Sequence, residues 1–425
     1  KRARNNIALI QTPLDENGLP NFEKLRQNFD LLHRLIVDKV VISARAIGFG
    51  GLAAAISEMS FGNRIGVDVT YLGDFFAVGF GNFVVELGAD SPEGLELIGR
   101  TIAEPDLVIN DERIAIEECI MAWLEPLEDV FPTGILGEAP VALDLGAPIE
   151  AKQIFAASKK FAKPRVLLPV FPGTNCEWDM AAAFEKAGAA PEIFVLNNLN
   201  HKSFTESVAE MARRINNAQI IALPGGFSAG DEPDGSGKFI AAVFANPSIA
   251  EATMELLNAR EGLIIGICNG FQALVKMGLL PYGKIAPLTK DSPTLTYNAI
   301  GRHISNIALT KVMSNKSPWL AGLEPGEIFR SAASHGQGRF MASDALTAEL
   351  FANGQVTTVF VDHDGNPTEA LPYNPNGAHQ GIEGITDPTG RILGKMAHSE
   401  RGSLYKNIPG NFNQKIFTSG VKYFA

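Results

Sequence analysis

The segment Gly266-Ile267-Cys268-Asn269-Gly270-Phe271-Gln272 sets a thiol where a thiol can react. It follows directly on the apolar run 263–267, which reads as a strand, and the residues from 272 onward have the pattern of a helix. Glycines two before and two after a nucleophile let a strand turn abruptly into a helix, which is the logic of the nucleophile elbow, here with cysteine in place of serine. A thiol at a helix N-terminus gains from the free N–H groups and the positive dipole end, which favour thiolate over thiol. Buried cysteines are more often small hydrophobes. The flanking glycines are what lift Cys268 above that reading.

A base and its orienting partner stand far downstream in Met396-Ala397-His398-Ser399-Glu400. In extended backbone residues i and i+2 point to one side. His398 and Glu400, just beyond the strand signal 392–395, are therefore expected to lie together, the carboxylate on one ring nitrogen and the other facing the thiol. A third element, Leu223-Pro224-Gly225-Gly226, ends another strand in residues whose N–H groups no Cβ obstructs. The Gly226 and Asn269 N–H groups are expected to form an oxyanion hole for acyl transfer. Cys176, in 172–177 (PGTNCE), has no paired base in the sequence and reads as structural; Cys119 sits in an apolar helical pattern and reads as core. The seven histidines form no His-x-x-x-His pair and the three cysteines no Cys-x-x-Cys pair, so no metal site is expected.

The elements that must position these groups alternate strand and helix. Strand signals at 166–170, 193–196, 220–223 and 263–267 are separated by helical patterns at 178–186, 204–215, 239–244 and 250–258. Such alternation predicts a parallel sheet covered by helices on both faces. Later strand signals at 304–309, 356–361 and 392–395 extend it. Before this region, Phe22, Leu25, Phe29, Leu32 and Ile36 have helical spacing, 40–42 and 65–69 read as strands, and 114–130 is apolar at helical spacing. Residues 132–164, punctuated by Pro132, Gly134, Gly137, Pro140, Gly146 and Pro148, have the character of a linker. The expected organisation is a first domain over 1–131, a linker over 132–164 and a second domain over 165–425.

Bulk properties agree with a chain of two or more domains. The 425 residues carry a net charge of −11 and 46% hydrophobic residues, enough for buried cores. No basic cluster of the length a phosphate backbone needs is present, so nucleic acid is not an expected partner. Three cysteines suggest a reducing cytosol rather than a disulfide framework, and no apolar run reaches the ~18 residues of a membrane span. The opening Lys1-Arg2-Ala3-Arg4 has no initiator Met and reads as a chain already in progress, a fragment or one product of a cut larger protein.

Taken together, Gly-x-Cys-x-Gly-x-Gln and a downstream His-x-Glu resemble the class I (triad) glutamine amidotransferases. More narrowly, 224–231 (PGGFSAGD), 334–339 (SHGQGR), 374–377 (NPNG), 384–391 (GITDPTGR) and 396–402 (MAHSERG) resemble, in order, the amidotransferase domain of the phosphoribosylformylglycinamidine synthase family. That resemblance covers about 165–425 and implies a flavodoxin-like α/β domain in which Cys268 attacks the amide of glutamine, His398 passes the proton to ammonia and Glu400 orients His398. It also implies that Gln272 and the His335-Gly336 turn contact bound glutamine. The family commonly has Pro where this chain has Ser399, and Glu where it has Gln337.

The stretch 43–52 (SARAIGFGGL) with 56–59 (ISEM) resembles the C-terminal part of the synthetase module of the same family, an α+β fold of the aminoimidazole ribonucleotide synthetase-like superfamily. Relatives often carry His-Asp at Arg45-Ala46 and Asp at Phe49, so this turn reads as degenerate. A Gly-Gly turn before a helix also suits phosphate, though a packing turn is the simpler reading. The resemblance implies no cofactor for the glutaminase chemistry itself; ATP and Mg, with formylglycinamide ribonucleotide, belong to an upstream synthetase region. The implied reaction is that of an ATP-dependent carbon–nitrogen ligase with glutamine as amido donor, in purine biosynthesis and in the cytoplasm. The alternatives are a stand-alone cysteine hydrolase or deglycase-like protein on the same sheet, and a binding module with an inert triad.

Overall fold

The computed structural model describes residues 3–88, 92, 94–128, 142–151, 154–230, 237–405, 407–412 and 415–425. The chain divides into two compact units, 1–134 and 135–425. Residues 132–141 and 152–153 of the expected linker, and the end of the helical pattern at Val130, lie outside the described residues.

The first unit holds β1 (Asn6–Ile10), α1 (Phe22–Val37), β2 (Val41–Ala46), α2 (Gly51–Phe61), β3 (Gly66–Val69), β4 (Phe83–Leu87), β5 (Glu96–Ile102), β6 (Asp106–Ile109), β7 (Glu112–Ala115) and α3 (Ile116–Glu128). Its seven strands form one sheet in the order β2-β4-β1-β5-β3-β6-β7. Helix α1 starts where the Asn21 side chain accepts the Lys24 N–H, a side-chain N-cap. Ile114 and Ala115, where the helical spacing begins, belong to the strand Glu112–Ala115 instead. The α2 turn is held by glycine: a Cβ on Gly51 would lie 2.3 Å from the Phe75 carbonyl. Next to it Arg45 pairs with Glu58 and Phe49 is exposed. Cys119 is only partly buried, at the margin of the core that Leu52, Ile56 and Val67 build.

The second unit continues with β8 (Arg165–Val170), α4 (Glu177–Lys186), β9 (Ala190–Val195), α5 (His201–Asn217), β10 (Ile220–Leu223), α6 (Lys238–Phe244), α7 (Pro247–Asn258), β11 (Leu263–Ile267), α8 (Asn269–Lys276) and α9 (Leu279–Tyr282). Then come β12 (Thr294–Tyr297), β13 (Ile304–Val312), β14 (Ile328–His335), β15 (Gln337–Met341), α10 (Asp344–Ala352), β16 (Val356–Val361), β17 (Ile382–Thr386), β18 (Ile392–Lys395) and α11 (Ile416–Lys422). Nine strands make one sheet, ordered β14-β13-β16-β17-β18-β11-β10-β8-β9.

The expected parallel sheet is half of this. From β9 to β18 the pairings are parallel; from β18 through β17, β16 and β13 to β14 they are antiparallel. The central strands β10 and β11 are buried along their whole length, as strands covered on both faces must be. On the antiparallel side β13 alternates half-exposed with buried residues from Ile307 to Val312, the mark of a sheet that meets water on one face. The two classes join at the turn between β17 and β18, where Asp387 accepts from Thr389 and from the Ile392 N–H. The described residues of 142–164 run along this unit, with Leu143, Ile149, Ala157 and Phe161 donating to the carbonyls of Pro367, Met313, Tyr423 and Phe424. No described helix is long and apolar enough to cross a membrane.

Candidate active site

Parallel pairing of β11 with β18 sets Ile267 beside Lys395, so the chain leaving each strand emerges at one edge. Cys268 ends β11 and caps α8 with φ 54° and ψ −107°, a left-handed conformation that costs a non-glycine residue energy and persists only where the surroundings enforce it. The enforcement is visible. A Cβ on Gly270 would lie 2.1 Å from the Leu223 carbonyl, and one on Gly266 would lie 2.6 Å from the Gly270 backbone. The glycines thus allow close approach while the strain sits on Cys268 itself, and the cysteine is buried rather than displayed.

His398 reaches the thiol by a different local route from the one expected. Strand β18 stops at Lys395, and Glu400 lies in a 3-10 turn, Ser399–Leu404, that begins right after His398. It is the turn, anchored by the His398 N–H on the Ala332 carbonyl at 2.8 Å, that brings the pair together. His398 Nδ1 and Glu400 Oε1 are 2.6 Å apart, both side chains fully buried. Burial works against the imidazolium, but the Glu400 carboxylate, aided by hydrogen bonds to Cys176 and Cys268, outweighs it and holds His398 well above 6.5. Burial likewise opposes the Glu400 carboxylate, and the adjacent imidazolium overcomes it and keeps Glu400 below 4.5.

The cleft over these groups, about 460 Å³, is lined by Cys268, His398, Gly226, Gln272, His335 and Gly336, among others. Six of the eight residues singled out from the sequence therefore meet at one opening; Glu400 stands behind His398, and Asn269 is fully buried. Gly226 adopts φ 144° and packs against Thr174, a conformation only glycine takes readily. Gln272 lines the cleft with both ends of its amide bonded. Its Nε2 donates to the Gln337 carbonyl and its Oε1 accepts from Asn269, and Asn269 in turn accepts the Ser228 N–H. His335 is held neutral, its pKa lowered to about 3 by burial and by the nearby His398 and His303. Its Nε2 accepts from Asn376, whose amide nitrogen also donates to the Gly338 carbonyl, leaving a buried Nδ1–H without a partner among the described residues.

Three residues of the site escaped the sequence reading. Cys176, expected to be structural for want of a base, lies against His398, and Arg401 donates to its sulfur at 3.1 Å while bonding Asp179 at 2.9 Å. Cys176 and Arg401 both line the cleft. The pairing of Cys176 with His398 and Arg401 was missed because both stand more than two hundred residues downstream. Gly225 is the third: a Cβ there would be 2.9 Å from His398 Cε1, 3.0 Å from Cys176 Sγ and 3.4 Å from Cys268 Cβ. Gly225→Ala is expected to displace the imidazole and lower the turnover of the site roughly 100-fold while the protein stays folded; a folded variant within twofold of the wild-type rate would contradict this placement. Among the described residues, Cys176, His398 and Glu400 are the cluster able to hold a metal ion, with ligand atoms within 4.8 Å of one another, but Glu400 already occupies one ring nitrogen.

A strained thiol beside an imidazole that a carboxylate orients is equipped for acyl transfer. Residues 163–424 match the family described as the CobB/CobQ-like glutamine amidotransferase domain. A phosphoribosylformylglycinamidine synthase subunit PurQ from Methanococcus maripaludis is 36% identical over 248 residues, 57% of this chain and 83% of the relative. One from Treponema denticola is 36% identical over 258 residues, 57% and 90% of the two chains. The phosphoribosylformylglycinamidine synthase of Dictyostelium discoideum is 28% identical over 274 residues, which make up 19% of that chain. Among solved structures, one described as PurLQS from Thermotoga maritima aligns at 29% identity over 62% of this chain and all of its own, with a TM-score of 0.45.

The fold and the match define an α/β glutamine amidotransferase. Within that class, the chain belongs to the family of the phosphoribosylformylglycinamidine synthase amidotransferases, the PurQ family.

Proposed function

We propose that Cys268, His398 and Glu400 act as a triad that releases ammonia from glutamine for the ATP-dependent conversion of formylglycinamide ribonucleotide to its amidine. Family membership makes the chain the glutamine-hydrolysing part of phosphoribosylformylglycinamidine synthase, in purine biosynthesis. The observation that carries the triad is the 2.6 Å His398–Glu400 contact facing a cysteine held at φ 54°.

In this reading Cys268 attacks the carboxamide carbon as thiolate. The oxyanion that forms takes the Gly226 and Asn269 N–H groups, the second standing in the first turn of α8, where N–H groups have no carbonyl partner within the helix, and such preset donors are worth several kcal/mol at the transition state. His398 Nε2 gives its proton to the departing nitrogen, which leaves as ammonia. The same nitrogen then takes a proton from water, the hydroxide cleaves the thioester, and glutamate and the thiolate are released. The unpartnered His335 Nδ1–H and the Gly336 backbone are the groups offered to the rest of the glutamine molecule. Gln272, bonded at both ends, shapes the wall through Asn269 and Gln337.

The amination step needs ATP, Mg and the ribonucleotide at a synthetase site, and the partner is accordingly the synthetase region. The first unit, over about 1–131, is assigned to the C-terminal subdomain of such a module, with 132–164 as linker and 165–425 as the amidotransferase domain in the cytoplasm. The test is nitrogen tracing: with glutamine labelled in its amide nitrogen and the synthetase, ATP and ribonucleotide present, the label is expected in the amidine. Amidine formed from free ammonium alone, with none from glutamine, would overturn the assignment.

A further inference from the structure

Two charges lie deep in the second unit without lining the cleft. Glu383 on β17 and Lys395 on β18 have side chains 0% and 1% exposed, with Lys395 Nζ 3.0 Å from Glu383 Oε1. Removing two charges from water costs more than their attraction commonly returns, so such a pair is poor evidence of stability and invites a search for another role. What the pair grips answers the question. Glu383 Oε1 accepts the Ala397 N–H at 2.7 Å, and Lys395 Nζ donates to the Ala397 carbonyl at 3.0 Å. Thr358 holds the second carboxylate oxygen through its hydroxyl. Both polar groups of the residue immediately before His398 are therefore fixed by one ion pair.

The backbone of Lys395 also holds the nucleophile, and that of Glu383 the residue after Lys395. The Lys395 carbonyl accepts the Cys268 N–H at 2.9 Å, and the Glu383 carbonyl accepts the Met396 N–H at 3.1 Å. Backbone on one side and side chains on the other thus tie the strained elbow and the histidine turn to a common unit. Residues 396–400 contain no proline to fix their dihedrals, so the turn depends on these bonds for its rigidity. We infer that Glu383 and Lys395 are positioning residues for the glutaminase reaction, setting the imidazole of His398 on the thiol of Cys268; the inference rests on the ammonia-releasing reading above. Neither touches substrate. Their effect is on turnover, because a small misplacement of a catalytic group removes much of the rate that orientation supplies, and not on the binding of glutamine.

The experiment measures glutamine hydrolysis, KM and unfolding midpoint in the full chain. Lys395→Met alone leaves an uncompensated carboxylate, so the informative variant is Lys395→Met with Glu383→Gln, which removes both charges and keeps an oxygen for the Ala397 N–H. It is expected to unfold near the wild-type midpoint, to keep KM for glutamine within about threefold, and to lose kcat roughly 10-fold or more. Thr358→Val, which frees one carboxylate oxygen and removes no charge, is expected to lower kcat by a smaller factor with KM unchanged. If the double variant does not fold, the Thr358 variant decides. Wild-type kcat in the folded variants overturns the positioning role while leaving the glutaminase reading intact. No glutamine hydrolysis by the wild-type chain removes both.

Discussion

Cys268→Ala is expected to abolish glutamine-dependent amidine formation, by roughly 10⁵-fold or more, while ammonium-dependent formation by the assembled synthetase stays at the wild-type level. The asymmetry follows from where the cysteine acts. Only the first half of the chemistry forms a bond to sulfur, and ammonium enters after that bond is no longer needed. The substitution is sterically mild: alanine is smaller than cysteine and tolerates φ 54° no worse, and the enclosing Gly266 and Gly270 contacts remain. The measurement is a pair of rates, with glutamine and with ammonium, on one preparation. Loss of both rates would mean that Cys268 does not divide the reaction as proposed, and retention of both would remove it from the mechanism. Cys176 supplies a second check. It lines the same cleft, so a residual rate carried by its thiol would disappear in the variant with both cysteines replaced.

Glu400→Gln is expected to lower glutamine turnover by roughly 10³- to 10⁴-fold, as removal of the orienting carboxylate does in comparable triads. An amide at 2.6 Å from Nδ1 supports the wrong tautomer in half of its orientations and never stabilises the imidazolium. The substitution also moves the pH dependence. In the wild type the carboxylate holds His398 charged well above 6.5 against the opposing burial; in the variant only the hydrogen bonds to Cys176 and Cys268 still oppose burial, so the alkaline limb of kcat moves to lower pH. Linkage signs for the pair are opposite. His398, with its pKa raised, adds stability that is complete below about pH 6.5 and is lost as pH rises through the raised value. Glu400, with its pKa lowered, adds stability that is complete above about pH 4.5 and is lost as pH falls through the lowered value. The wild type should therefore exceed the variant in unfolding midpoint most between about pH 4.5 and 6.5, and the difference should shrink on both sides. A variant whose alkaline limb does not move would separate Glu400 from the titration of His398.

The parts of the site that could be read from the chain are those whose meaning is local. Gly266, Cys268 and Gly270 announce an elbow because the turn itself requires them, and His398 and Glu400 stand two apart. Even so, the geometry joining that last pair is a 3-10 turn rather than extended backbone. What escaped depends on contacts between distant segments. Arg401 meets Asp179 and Cys176 across 222 and 225 residues, and nothing near Cys176 signals a base. Gly225 looked like one more turn glycine, since the atoms a Cβ would meet come from three separate elements. The fold divides the same way. Buried parallel strands such as β10 and β11 are continuous apolar runs, whereas β5 (ELIGRTI) and β14 (IFRSAASH) mix polar and small residues. Their pairing is fixed by neighbours and not by their own pattern.

The most direct measurement is of the covalent intermediate. Wild-type protein mixed with glutamine and quenched in acid, then digested and weighed peptide by peptide, is predicted to carry a γ-glutamyl thioester on Cys268 and to leave Cys176 unmodified. Glutamate released with no adduct on Cys268, or with the adduct on Cys176, would contradict the account.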